Sequence, residues 1–440
     1  MRQTIAGTLT VLCLALPGCG GSGTGSGPAS EDAPFKSIDP AAVVLWDRQT
    51  QEFSDLIKNI ADTFNKDREG LPVRVEYMGD YSDIYRKVTL SIQAGELPSM
   101  AVGYESMTAE YVRLGAVRPL GEFIRDPELG FSEEEIADFF PGVVDTNRYG
   151  QFGGEYYSFP FCKSVLTLFF NKRVLKKAGF DGPPQTWDDF LEQCRAVRAK
   201  TGNYGYALNA DCSTLNGMIF SRGGDIVSGN QSLYDSPQSI AAFEFLETLA
   251  KEKLAYQITP GTYDDREAFA QDKAAFFFRS SVHRPFTQKL MQGDQDAWGL
   301  AMIPQADPAN PSTVLYGPNV MVFKTGNEQE RVAWEFIRHF TSPEISSNWA
   351  LITGYIPMHK SSAADPRVQA YWKEWEYNRV PFDSLAVARA EPNLVGWQEV
   401  RSLVERAWSD VMSEVKTGRE AALELKQQAD AVLARFQSAR

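Results

Sequence analysis

Residues 41–104, AAVVLWDRQTQEFSDLIKNIADTFNKDREGLPVRVEYMGDYSDIYRKVTLSIQAGELPSMAVGY, decide the fold class. Ala41 to Trp46 is a continuous apolar run of strand length. Phe53, Leu56, Ile57, Ile60 and Phe64 then recur at helical spacing. Val73 to Tyr77 alternates apolar and polar residues, the pattern of a half-buried strand. Ile84, Val88 and Ile92 mark a second helix, Pro98 interrupts it, and Met100 to Tyr104 supplies a third strand. This β-α-β-α-β order predicts an open, mainly parallel sheet with helices on both faces.

Outward from that stretch the pattern restarts beyond an acidic, Pro-punctuated segment from Asp126 to Pro141. Val165 to Phe170 is a strand. Thr186, with Asp189 three residues on, caps a helix through Trp187, Phe190, Leu191, Cys194 and Val197. Ile240 to Leu254 predicts another amphipathic helix and Ala274 to Phe278 another strand. Trp298 to Ile303 and Val320 to Phe323 are strands expected to return to the first sheet. Two helices follow, one from Trp397 and one after Gly418. The expectation is two α/β lobes sharing the chain non-contiguously, residues 39–160 with 298–345 and residues 161–297 with 346–440. Crossings are expected near Phe159 to Ser164, near Trp298 and near Ser342 to Ala350.

The 440 residues are 43% hydrophobic, 12% aromatic and 23% charged, the proportions of a globular protein with ample core. A net charge of −13 without any basic run disfavours nucleic acid as a partner. At the start, Thr4 to Leu16 is mostly apolar but too short to span a bilayer comfortably, so residues 1–18 suit a signal peptide. Leu16-Pro17-Gly18-Cys19 resembles the lipobox of bacterial lipoproteins, which makes Cys19 the lipidation candidate. A plain secretory signal cut nearby is the alternative, and both imply export. Residues 19–38, rich in Gly and Ser, then act as a flexible tether. Of the remaining cysteines, Cys194 lies on an apolar helix face, and a Cys162–Cys212 or Cys194–Cys212 bridge stays open.

Catalytic signatures are missing. The mature chain has no H-E-x-x-H, G-x-S-x-G, phosphate loop or clustered metal ligands, so neither cofactor nor metal is expected. Asp188-Asp189, Glu133-Glu134-Glu135 and Asp264-Asp265 sit where helices begin, the favourable place for negative charge. An exported carbohydrate-active enzyme with two carboxylates close in space remains the alternative function.

Several segments in order resemble one family. They are Tyr77-Met78-Gly79-Asp80-Tyr81, Ala94-Gly95-Glu96-Leu97-Pro98, Tyr156 to Asn171 (YYSFPFCKSVLTLFFN) and Lys177-Ala178-Gly179-Phe180. Pro184-Gln185-Thr186-Trp187-Asp188-Asp189-Phe190 and Thr353-Gly354-Tyr355-Ile356-Pro357 complete the set. Together they are similar to the extracellular solute-binding proteins of bacterial ABC importers, and within those to the sugar, glycerol-phosphate and glycerophosphodiester binders. The resemblance implies a two-lobe periplasmic-binding-protein fold of type II with a ligand cleft between the lobes. It also implies a monomer, permease subunits as partners, and contact with the membrane only through the lipid.

By the same resemblance, Tyr81, Glu105, Ser164, Ser280, Gly317, Tyr355 and Arg389 fall on ligand-contacting positions. Where those relatives carry tryptophans, Leu208 to Cys212 offers Asn209 and Asp211, which suit hydroxyls. The chemistry is coherent: sugar and glycerol C–H faces stack on Tyr rings, and hydroxyls need acceptors such as Glu105 and Asp211. A phosphate would suit Arg389, assisted by Lys163 or Arg279, with Ser164 and the Gly317 amide completing its shell. Binding would favour a closed arrangement in which both lobes supply contacts.

Overall fold

The computed structural model describes residues 34–66 and 68–437. The expected export signal, Cys19 and the expected tether up to Ala33 lie outside the described residues. The tether was expected to run to residue 38, but Lys36–Ser37 already pairs in parallel with Glu96–Leu97.

The first lobe begins with β1 (Val43–Asp47), α1 (Gln51–Lys66), β2 (Val73–Tyr77), α2 (Tyr81–Ala94), β3 (Met100–Gly103) and α3 (Glu105–Arg113). β1 is buried along its whole length, because helices cover both faces of a central parallel strand. α2 opens on a reciprocal capping box, Asp80 taking the Asp83 amide and Asp83 the Asp80 amide, and closes on left-handed Gly95. β4 (Phe159–Pro160) ends this pass, and the chain crosses to β5 (Ser164–Asn171), all eight residues of which are buried.

The second lobe continues with α4 (Trp187–Thr201), β6 (Tyr204–Leu208), α5 (Cys212–Phe220), α6 (Pro237–Lys251), β7 (Ala255–Gln257), β8 (Ala274–Ser280), β9 (Trp298–Met302) and β10 (Thr313–Tyr316). The expected Thr186–Asp189 capping box opens α4. β11 (Asn319–Val322), α7 (Asn327–Phe340) and α8 (Pro343–Thr353) return to the first lobe. The edge strand β12 (Ala388–Arg389) and helices α9 (Trp397–Met412) and α10 (Gly418–Gln437) belong to the second.

The first sheet has the order β2-β1-β3-β11-β4, and the second β7-β6-β8-β5-β10-β12 with β9 on the other half of β5. β2, β1 and β3 run parallel as expected. The strands that join from the crossings, β11 and β4, are antiparallel to their neighbours, so the sheet is mixed. The second sheet is mixed in the same way around β5.

Two expectations about the chain path are corrected. Trp298–Met302 does not return to the first sheet: it pairs antiparallel with Thr167 to Asn171 of β5, and the return is made by β11 after Gly317-Pro318. Nor does the second lobe take over at residue 346. Trp349, Tyr355 and Met358 pack in the first core with Trp334 and Phe159. The second core is built on Phe190, Tyr206, Phe278, Trp397 and Trp408. Cys162, Cys194 and Cys212 are free and buried, so neither candidate bridge is present. Burial pushes all three thiols well up, leaving them inert.

Candidate functional site: a tyrosine-lined cavity between the lobes

In open α/β sheets, ligands meet the loops at the carboxyl ends of parallel strands. Both sheets aim those ends at one cavity of about 150 Å³. From the first lobe come Arg48 after β1, Tyr81 after β2, Tyr104 after β3, and Tyr355 after α8. From the second come Asn209 and Asp211 after β6, Thr214 on α5, Arg279 and Ser280 at the end of β8, then His283, Tyr263 and Tyr316. Ser164 and Gly317 lie on the two strand crossings. An engineered protein cavity of about this volume takes a benzene-sized guest, so the space suits one small molecule.

Gly317 is fixed by its surroundings. It has φ +112°, and a Cβ there would lie 2.1 Å from the Cys162 carbonyl oxygen on the other crossing. Ser164 and Ser280 share a hydroxyl–hydroxyl hydrogen bond of 2.8 Å. Asp211 caps α5: its Oδ2 accepts from the Thr214 amide and hydroxyl, each at 2.9 Å, and from the Tyr316 hydroxyl at 2.8 Å. Its Oδ1 lies 3.8 Å from Arg401, which is itself paired with Glu391 at 2.5 Å. Burial, reinforced by the Asp211 charge, pushes nearby Glu405 up to about 7.

Aromatic rings and guanidinium groups interleave around the space. Tyr81 and Tyr104 lie with centroids 4.1 Å apart. Arg48 covers Tyr81 at 4.6 Å and Arg401 covers Tyr104 at 4.6 Å. Tyr263 is flanked by Arg266 at 4.2 Å and Arg279 at 5.3 Å. Arg279 makes a two-pronged pair with fully buried Asp265, at 2.7 and 3.2 Å. The Tyr355 hydroxyl accepts from Gln49 Nε2 at 3.1 Å, which leaves its own proton to donate. Burial holds the Tyr81 phenol protonated and, together with neighbouring Arg279, Arg266 and Arg48, keeps the His283 imidazole neutral.

The structure therefore brings together Tyr81, Ser164, Asn209, Asp211, Arg279, Ser280, Gly317 and Tyr355 of the expected set. Three expected residues stand apart. Glu105 and Lys163 pair with each other at 3.2 Å, Lys163 being 1% exposed, which satisfies both charges away from the cavity wall. Arg389 donates to Asp225 at 2.7 Å and the Gly224 carbonyl at 2.9 Å and covers the Phe220 ring, so the anticipated phosphate ligand is spent on the second lobe itself. Arg48, Tyr104, Tyr263, His283 and Tyr316 were missed. For Arg48 and Tyr104 the signal was available: each ends a parallel strand pointing at the cleft.

Two α/β lobes closing on a polar cavity define a solute receptor. Over residues 59–374 the sequence matches the family of bacterial extracellular solute-binding proteins, and the chain belongs to that family. It is the substrate-binding protein of an ABC uptake transporter for a polar solute, working outside the cytoplasm, and not an enzyme. The sn-glycerol-3-phosphate-binding periplasmic protein UgpB of Yersinia pestis is 22% identical over 417 residues, covering 90% of this chain and 93% of the relative. The Escherichia coli K12 protein of the same description is 22% identical over 348 residues, 76% of this chain and 77% of its own. Among solved structures, UgpB of Mycobacterium tuberculosis with glycerophosphocholine superposes with a TM-score of 0.80 at 18% identity, covering 90% of this chain and 100% of that one. The acarbose-binding GacH receptor of Streptomyces glaucescens gives 0.78 at 18% identity, with 91% and 99% covered.

Proposed function

We propose that this protein captures a small polyhydroxylated solute, a sugar or a glycerol-phosphate-type compound, and hands it to a membrane permease. The observation that carries this reading is the cavity wall, which both lobes furnish with tyrosine rings and hydroxyl-binding groups. Asn209, Asp211, Ser164, Ser280 and the Gly317 amide serve the ligand's hydroxyls, and Tyr81, Tyr104 and Tyr355 its C–H faces. Contacts from both lobes favour closure around the solute, and the closed form of the monomer is what the permease pair receives. The glycerol-phosphate binding named for the Yersinia and Escherichia relatives and the acarbose binding named for GacH support the two ends of the ligand range.

A thermal-shift screen of the mature chain against monosaccharides, disaccharides, polyols, glycerol phosphates and glycerophosphodiesters tests the class. A ligand at about a hundred times its Kd adds about 2.7 kcal/mol, which raises Tm by several degrees. Silence across the whole panel contradicts the ligand class.

Residues 1–18 act in this proposal as the export signal, and Cys19 carries the lipid that holds the body at the membrane through its tether. A Cys19→Ala variant is expected to leave the membrane fraction. Its retention there would contradict the anchor.

A further inference from the structure

Arg48 stands in the cavity wall without a salt-bridge partner among the described residues, and its Nε is buried without a hydrogen-bond partner. Its contact is the Tyr81 ring face. The other cavity cations differ: Arg279 is matched by Asp265, and Arg401, behind Tyr104, by Glu391. The neighbouring carboxylate in the chain, Asp47, turns its Oδ2 to the Gln49 amide at 2.7 Å and forms no ion pair with Arg48; burial pushes it up to about 6, with the Arg48 charge a smaller opposing influence. Asp211, on the other lobe, has its Oδ2 filled by three donors and its Oδ1 facing Arg401.

An arginine does not shed its proton in a protein, so a partly buried unpaired guanidinium demands an anion. Arg48 shares the cavity wall with Tyr81, Tyr104, Tyr263 and Tyr355, and burial raises the phenols of Tyr81, Tyr104 and Tyr355 so that they keep their protons. Tyr355, already accepting from Gln49, has only its proton to offer. That end of the cavity is thus rich in donors and poor in acceptors. The other end supplies acceptors for hydroxyls in the Asn209 amide oxygen and in Asp211 Oδ1, which at 3.8 Å from Arg401 is outside hydrogen-bond distance of it.

We infer that Arg48, with the phenols of Tyr81 and Tyr355, forms an oxyanion subsite, so that the solute carries a phosphate or carboxylate on its polyol, seated against the first lobe. This deepens the proposed function and rests on it. It moves the anion site from Arg389 to Arg48. It also gives the solute a fixed polarity, anion toward the first lobe and hydroxyls toward the second, so that binding ties the two lobes together.

Titration calorimetry on matched series tests it: glycerol, glycerate and sn-glycerol 3-phosphate, then glucose, glucuronate and glucose 6-phosphate. In at least one series an anionic member should bind at least about tenfold more tightly than its neutral parent, the least that one charge-assisted hydrogen bond supplies. Whichever anion wins identifies the source as phosphate or carboxylate. Arg48→Gln should abolish that preference, Arg48→Lys should keep part of it, and Arg389→Ala should keep all of it. A neutral parent bound as tightly as its anions by the wild-type chain overturns the subsite and leaves solute capture standing. So does a preference that survives in Arg48→Gln or is lost in Arg389→Ala. The wild-type comparison decides the matter even where a variant fails to fold. Absence of binding by every member, neutral or anionic, overturns both readings.

Discussion

Gly317 is the residue on which the geometry of the cleft turns. It sits at positive φ where the second strand crossing leaves β10, pressed against the Cys162 carbonyl of the first crossing. Any side chain there must push the two crossings apart. Gly317→Ala is expected to lower Tm by several degrees, since such backbone strain alone costs on the order of 1–3 kcal/mol and the carbonyl overlap adds to it. The same variant should weaken solute binding at least about tenfold, because Ser164 and the Gly317 amide move with the crossings. Unchanged stability and affinity, read by thermal melting and calorimetry, would contradict this account of the crossing. At this scale the site was partly legible. Of the residues that line the cavity, Tyr81, Ser164, Asn209, Asp211, Ser280, Gly317 and Tyr355 are reached through position within the family resemblance. What a side chain spends its charge on was not legible. Arg389 is quenched by Asp225 and Glu105 by Lys163 across 164 and 58 residues of chain respectively. Arg48 is left unquenched for reasons equally remote in sequence.

At the scale of elements, local signals carried far. The Thr186–Asp189 box opens its helix as the spacing predicts, Gly95 and Gly202 end theirs in the left-handed conformation, and the acidic pairs lie in first turns. These are short-range matters of backbone donors and side-chain reach. The failure was one of address. Trp298 to Met302 is a buried strand and looks like one, yet an apolar run records burial without recording which sheet buries it. Here β5 is long enough to take two antiparallel neighbours end to end, β10 on its first residues and β9 on the rest. The return to the first lobe therefore waits until β11. The same limit explains Trp349 and Tyr355: a helix after a crossing carries no mark of the lobe whose core it completes.

The whole molecule is two apolar cores with a polar seam. Each core is self-sufficient in large buried side chains, Trp334 in one and Trp397 and Trp408 in the other. The seam holds Arg48, Asp211 and the tyrosines, which neither core can absorb without a polar partner. Such a division lets the lobes move as bodies while the seam responds to a guest, the arrangement that a receptor coupled to a permease requires. The two-lobe plan was legible because strand and helix periodicity restarts midway. The position of the seam was legible only through the rule that parallel strands aim their carboxyl ends at ligands.

The central claim is that the seam captures one solute and releases it unchanged. Calorimetric titration of the mature chain with the strongest solute from the thermal screen, followed by recovery of that solute, tests it most directly. The account predicts a single site per chain and full recovery of the intact compound. Loss of the solute by hydrolysis, or a stoichiometry that does not settle at one, would contradict it.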